Sequence, residues 1–244
     1  MSYTKLERIV MLHSLHRLLG FSIGAIDGEI GHVKDFCFDD KTWTIRYLVV
    51  ETGNWLFGRK VLISPVALLQ PQWDKKVFPV NLTKEQVQSS PDVDLNHPLS
   101  LEQTEGLYSH YSWPYPEESG IGFMTTGMVG GVVAPGIPLD ERISDELHHT
   151  TARGAEPHLH GIKHTTRYDV HATDGVIGEV ADFLIDENWR ITSIVIDTGT
   201  WFAGKKILAD VSNVQRVEWE TSAIYYNQSL ELLKGSQEYH ENIL

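Results

Sequence analysis

The sequence predicts an all-β protein made of two copies of one small β-barrel. Each copy has about six strands and a short trailing helix, and a long irregular linker joins them. Three observations predict this. The first is an internal repeat: Asp27-Gly28-Glu29-Ile30-Gly31-His32-Val33-Lys34-Asp35-Phe36 returns as Asp174-Gly175-Val176-Ile177-Gly178-Glu179-Val180-Ala181-Asp182-Phe183. Setting 27–64 against 174–210, with Thr42 unpaired, gives 17 identities in 37 columns. The register then runs on without a gap, so that Trp73 meets Trp219 and Ser90 meets Ser236. A repeat of this period fixes the domain count before any motif is weighed. The second observation is turn chemistry at short, regular spacing, which belongs to β structure. The third is a change of composition over 96–160, rich in Gly, Pro, Ser and His and without sustained periodicity.

The boundaries follow: a lead-in at 1–13, a first copy at 14–95, a linker at 96–160 and a second copy at 161–244. In the first copy, strands are expected near 20–26, 29–39, 43–52, 59–64, 66–72 and 76–80. Asp27-Gly28 reads as a two-residue hairpin turn, because both residues tolerate positive φ. Asp39-Asp40-Lys41 and Thr52-Gly53-Asn54 mark the next breaks. Ile45 to Val50 and Ile191 to Ile196 become apolar on both faces, which suits a central strand of a closed small barrel. Leu82 to Ser89 reads as a short helix with Thr83 and Gln86 at capping-box spacing, and Ser229 to Ser236 as its partner. A connection as long as 96–160 without structure of its own is a linker or a binding segment.

Composition narrows the function classes. A unit of this size buries only a modest core, but 41% hydrophobic residues and seven Trp suffice without staples. The lone Cys37 excludes an intrachain disulfide and a multi-cysteine zinc cage, and reads as a core or half-buried thiol. The run Ile9-Val10-Met11-Leu12 is cut by His13, His16 and Arg17, so no secretion signal is expected. With no stretch near the ~20 apolar residues of a membrane span, a cytoplasmic location is expected. The net charge of −13 is uneven: residues 96–160 carry 2 Lys/Arg against 9 Asp/Glu, and 161–244 carry 7 against 13. Such a surface repels phosphate backbones, so nucleic acid is a disfavoured partner.

The motif Asp-Gly-x-Ile-Gly-x-Val-x-Asp-Phe, then Trp-x-Ile, then Thr-Gly-x-Trp-x-x-Gly-Lys/Arg-Lys-x-Leu resembles the PRC-barrel domain. That domain is shared by the H subunit of the photosynthetic reaction centre and the ribosome maturation factor RimM. The tandem layout resembles two-copy bacterial PRC-barrel proteins. So do the linker pieces Pro98 to Gln103, Ser112 to Tyr115 and Glu156 to His160. The resemblance implies a PRC-type barrel in each half and a role in binding or assembly without enzymatic activity. A departure from both named relatives is expected, since the sequence shows neither a transmembrane helix nor an extra N-terminal domain of the RimM kind.

The candidate residues are weighed against their packing roles. Asp27, Asp35, Asp39 and Glu51 recur as Asp174, Asp182, Asp186 and Asp197. Paired carboxylates can do acid–base work, but these positions fit turns, bulges and side-chain bonds to backbone, and no catalytic set is expected. Trp55, Phe57, Trp201 and Phe202 on the hairpin tips, with Tyr108, Tyr111, Trp113 and Tyr115 in the linker, are candidate contacts with another protein or a second copy. Exposed aromatics are costly unless used. Arg59, Lys60, Lys205 and Lys206 are candidate anion contacts, balanced by Glu51 and Asp197 nearby. His148, His149, His158 and His160 are weak metal candidates, since a site needs further ligands in fixed geometry. No cofactor is expected, and no residue set identifies a small-molecule substrate. The leading expectation is a protein-binding or assembly module. The alternatives are a factor linked to RNA processing or ribosome maturation, a protein associated with photosynthetic electron transport, and a weak metal binder.

Overall fold

The computed structural model describes residues 11–93, 99–114, 159–202 and 204–240. The chain divides into two compact units. The first holds residues 1–84 and 158–244, and so contains the strands of both copies of the repeat; the second holds 85–157.

In the first unit the chain is mostly β. It starts with a two-residue strand β1 (His13–Ser14) and a single helical turn α1 (Leu15–Leu18). Then come β2 (Ser22–Ala25), β3 (Gly28–Asp39), β4 (Thr44–Thr52), β5 (Lys60–Ile63) and β6 (Val77–Pro79). Helix α2 (Lys84–Gln88) follows, starting at the last residue of the first unit's opening segment and running into the second unit. The second unit contributes α3 (Leu101–Tyr111). The second copy repeats the order as β7 (Leu159–Gly161), α4 (Ile162–Thr165), β8 (Asp169–Ala172), β9 (Gly175–Ile185), β10 (Ile191–Asp197), β11 (Lys206–Asp210), β12 (Val214–Glu218), β13 (Ala223–Tyr226) and α5 (Leu230–Lys234).

One sheet runs β5-β4-β3-β2-β6, the other β11-β10-β9-β8-β13-β12. Among the described residues these sheets end at their outer strands, so the closed barrels expected from sequence are seen as two open sheets. Both keep the same logic. The long strand bends at a register shift, Val33/Asp35 in β3 and Val195/Ile196 across β9 and β10, and pairs on both sides. The parallel pairs β2·β6 and β8·β13 bring the last strand of each copy beside its first.

Three local expectations change. The hairpin loop is Ile26-Asp27, one residue earlier than predicted, since Ala25 pairs with Gly28. Gly28 opens β3 at φ 137°, a backbone that glycine accepts freely, and Asp27 is left to accept the Lys84 N–H at 2.8 Å at the start of α2. Asp174 does the same for the Leu230 N–H at 2.7 Å. Next, the strand expected at 66–72 is a 3₁₀ turn over Pro65–Ala67 followed by isolated bridges, while its counterpart β12 is a true strand. Pro71 stands where β12 has Val217; proline cannot donate to a ladder. Third, the linker is not wholly irregular, because residues 101–111 form a helix.

That helix has a mechanism. Ser100 Oγ accepts the Gln103 N–H at 3.1 Å and Gln103 Oε1 accepts the Ser100 N–H at 2.9 Å, a full capping box. Thr104, Leu107, Tyr108 and Tyr111 are buried along one helical face. Ser112 ends it at φ 54°.

The core of the two copies is made of aliphatic and aromatic residues of both sheets. Phe36, Phe38, Leu48, Val50 and Ile63 in the first copy, and Phe183, Ile194, Val195 and Ile196 in the second, are essentially fully buried. Among the described residues no helix is long and apolar enough to cross a membrane.

Candidate functional site

The copies are joined by a reciprocal exchange at the ends of their long strands. Strand β1 pairs with β9 (His13 with Ile185, Ser14 with Leu184), and β7 pairs with β3 (His160 with Phe38, Gly161 with Cys37). Each copy thus receives its extra strand from the segment that precedes the other. The starts of β4 and β10 meet as well: the Ile45 N–H donates to Trp189 O at 2.9 Å, and the Ile191 N–H donates to Trp43 O at 2.7 Å. Thr44 and Arg190, equivalent positions, face each other in one antiparallel bridge. Trp43 and Trp189 adopt left-handed backbone on either side, φ 53° and 61°. The geometry is that of a local two-fold axis through the seam.

Asp35 and Asp182 are the polar centre of this exchange. Asp182 is buried. It accepts hydrogen bonds from the Ser14 hydroxyl, from the His16 N–H at 3.0 Å and from the Phe183 N–H at 2.7 Å. Asp35 accepts from the Phe36 N–H at 2.8 Å and the Lys163 N–H at 3.1 Å. Each carboxylate therefore caps the helical turn of the other copy, α1 or α4. The equivalent of Ser14 is Gly161, where a Cβ would stand 3.0 Å from Asp35 Oδ2. The bulge before each aspartate and its bonds to backbone, both foreseen in the sequence, are present; the crossing to the other copy was not foreseen. These acids hold the seam together, a structural task.

Burial raises the pKa of both carboxyls, partly offset by the hydrogen bonds that favour the anion. The folded chain therefore holds protons that the unfolded chain has already released above about pH 4. Stability from these groups is complete below the unfolded pKa and is lost as pH rises through the raised folded value. Urea unfolding across that range should show wild type losing stability with pH relative to Asp182→Asn, which has no proton to release. A constant difference between the two proteins would contradict this.

A Trp–His stack with an acid beside it recurs on both sides of the seam. In the second copy His160 stacks on Trp219 at 3.2 Å between ring centres, 8° from parallel. Asp40 closes the group, accepting the Trp219 Nε1–H at 3.0 Å and lying 3.4 Å from His160 Nε2. In the first copy His13 stacks on Trp73 at 4.1 Å, and Glu187 holds the place of Asp40. Here the group stays open. A cavity of about 470 Å³ lies between Trp73, His13, Leu68, Leu69, Glu187 and Trp189. Desolvation lowers the pKa of His13 below its ordinary value, with Glu187 opposing.

The residues singled out in the sequence fall elsewhere. Trp55 is structural: its Nε1–H donates to Ile30 O at 2.6 Å, and the Lys84 ammonium lies 5.2 Å from its ring centre. Phe57, at the same tip, is 97% exposed on left-handed backbone. Trp201 and Phe202 lie in the equivalent 3₁₀ turn, Gly199–Phe202. Tyr108, Tyr111 and Trp113 are buried, with Trp113 stacked on Tyr111 at 4.3 Å, so they form a small core of the second unit rather than an open face. Tyr115, His148, His149 and His158 lie outside the described residues. His160 is committed to Trp219 and Asp40, and no group of three or more His, Cys, Asp or Glu is placed for a metal among the described residues. Of the basic pairs, Lys60 lies opposite Glu51 and Lys206 opposite Asp197 in the ladders, and Lys205 bonds Glu238 at 2.9 Å. Glu51 also bonds Lys34 at 2.8 Å, which lowers its pKa. Arg59 precedes Lys60, half-buried at the start of β5. These basic residues flank turns among compensating acids.

Burial pushes the Cys37 thiol up to about 12, with Asp35 adding to the effect. Iodoacetamide at about pH 8 should therefore leave the folded protein unmodified and alkylate it in urea, because the thiolate is the nucleophile. Rapid labelling of the folded chain would contradict the assignment.

Sequence reasoning missed His13, Trp73 and Glu187. The signal was available, since 13 aligns with 160, 73 with 219 and 187 with 40 once the repeat register is extended across both copies.

No curated protein matches the chain. Residues 12–87, which span the first copy from its exchanged strand to α2, match the family model of the PRC-barrel domain.

Proposed function

We propose that this protein is a non-enzymatic binding or assembly module built from two PRC-barrel copies. Residues 161–244 form the second copy in this reading, supported by the shared strand order, hairpins and capping aspartates. The carrying observation is Phe57, 97% exposed at the tip of a turn whose neighbour Trp55 is pinned to the sheet. A large apolar side chain held out on a fixed turn is what a contact with another protein uses. The occupant is another protein or a second copy of this chain.

The test is affinity capture from the native host, with light scattering for self-association, using wild type and Phe57→Ser. A partner or oligomer is expected with wild type and is weakened at least tenfold by the substitution. The substitution should leave the unfolding midpoint unchanged, because Phe57 buries nothing. A strict monomer that captures no partner, or a partner indifferent to Phe57, contradicts the proposal.

A further inference from the structure

The two Trp–His–acid groups at the seam provide an internal comparison. In the second copy the indole N–H of Trp219 donates to Asp40, and His160 Nε2 lies 3.4 Å from the same carboxylate. In the first copy the matching indole N–H of Trp73 and the carboxylate of Glu187 form no hydrogen bond or ion pair among the described residues, although the stack with His13 is kept. Glu187 is one methylene longer than Asp40 and is exposed at the cavity mouth. Among the described residues that line the cavity there is no Lys or Arg: His13 is the one basic residue, and Asp186 adds a second acid. The lining is mixed: His13, Gln70, Asp186 and Glu187 alternate with apolar side chains. Leu69 and Met11 are about half exposed, and Trp73 is 41% exposed, so three exposed large hydrophobic side chains converge here.

We propose that this cavity binds an organic cation, with an ammonium or guanidinium group at Glu187 and an apolar body against Trp73, Leu68 and Leu69. The volume of about 470 Å³ suits a small ligand. The exposed part of the indole attracts a cation through its quadrupole, and the carboxylate adds a charge-assisted hydrogen bond. A free amine and a basic side chain in an apolar peptide both carry this chemistry. This site is independent of the Phe57 tip, and its failure would leave that reading untouched.

The experiment is calorimetric titration of the full chain with phenethylammonium. Phenylacetate and 2-phenylethanol serve as anionic and neutral controls of similar size, and acetyl-Arg-Leu-amide is the peptide arm. Saturable binding of the ammonium or the peptide is expected, with phenylacetate at least tenfold weaker. Whichever of the ammonium and the peptide binds tighter identifies the source. Glu187→Gln, at an exposed turn position, should reduce affinity at least tenfold with an unchanged far-ultraviolet spectrum. Leu69→Lys, which supplies an ammonium at the mouth, should block binding as well. Equal binding of cation and anion, absence of binding by either cation, or full affinity in Glu187→Gln overturns the proposal.

Discussion

Replacing Asp182 by alanine is expected to destabilise the protein by about 3 kcal/mol, measured by urea unfolding. Three donors lose their acceptor at once: the Ser14 hydroxyl, the His16 N–H and the Phe183 N–H. A hydrogen bond to a charged group contributes ~1.5–3 kcal/mol, and a buried donor left unpaired costs ~1–3 kcal/mol. Relief of carboxylate burial offsets part of the sum, which holds the expectation near the lower end. Asp35→Ala should cost less, about 2 kcal/mol, because Asp35 accepts from two backbone N–H groups and is less buried. The asymmetry is itself a test: a greater loss at Asp35 would contradict the geometry of the seam.

The second large effect is expected at a glycine pair. A Cβ on Gly31 would stand 2.1 Å from Glu51 O, and a Cβ on Gly178 would stand 2.1 Å from Asp197 O. Both contacts are with the backbone of the neighbouring strand, β4 or β10, which cannot yield as a flexible side chain would. Overpacking against side chains costs ~1–3 kcal/mol. A clash with a paired strand should reach the top of that range, so Gly31→Ala and Gly178→Ala should each cost about 3 kcal/mol or fail to fold. Gly58→Ala is the control: it has φ 71° but open space around the Cβ, so it should lose only ~1 kcal/mol, from backbone strain. Equal effects at Gly31 and Gly58 would show that the strands can spread.

Much of this was legible in the sequence. The repeat register placed the equivalent strands, and the bulge at Asp35 and Asp182 followed from a charge breaking an apolar run. Pro71 explains why the fifth strand forms in one copy only, a reading available without coordinates but masked by Leu68 and Leu69. The helix at 101–111 was concealed by Gly106, Ser109 and His110. Its capping box at Ser100 and Gln103 and the buried spacing of Thr104, Leu107, Tyr108 and Tyr111 were nonetheless present. What sequence could not give is the crossing of β1 and β7. Two- and three-residue strands carry no periodicity of their own, and their partners lie more than a hundred residues away. The open cavity at Trp73 was invisible for the same reason: Glu187 reaches it from the other copy.

Two copies sewn together in this way should unfold together. Hydrogen exchange read by mass spectrometry across a urea series follows peptides of β3 and β9 separately in the same chain. In wild type the two sets should lose protection at one urea concentration, and Asp182→Ala should shift both midpoints downward by the same amount. If protection of β3 survives while β9 opens, or if the substitution moves only the second copy, the copies are independent and the reciprocal seam is not what holds them.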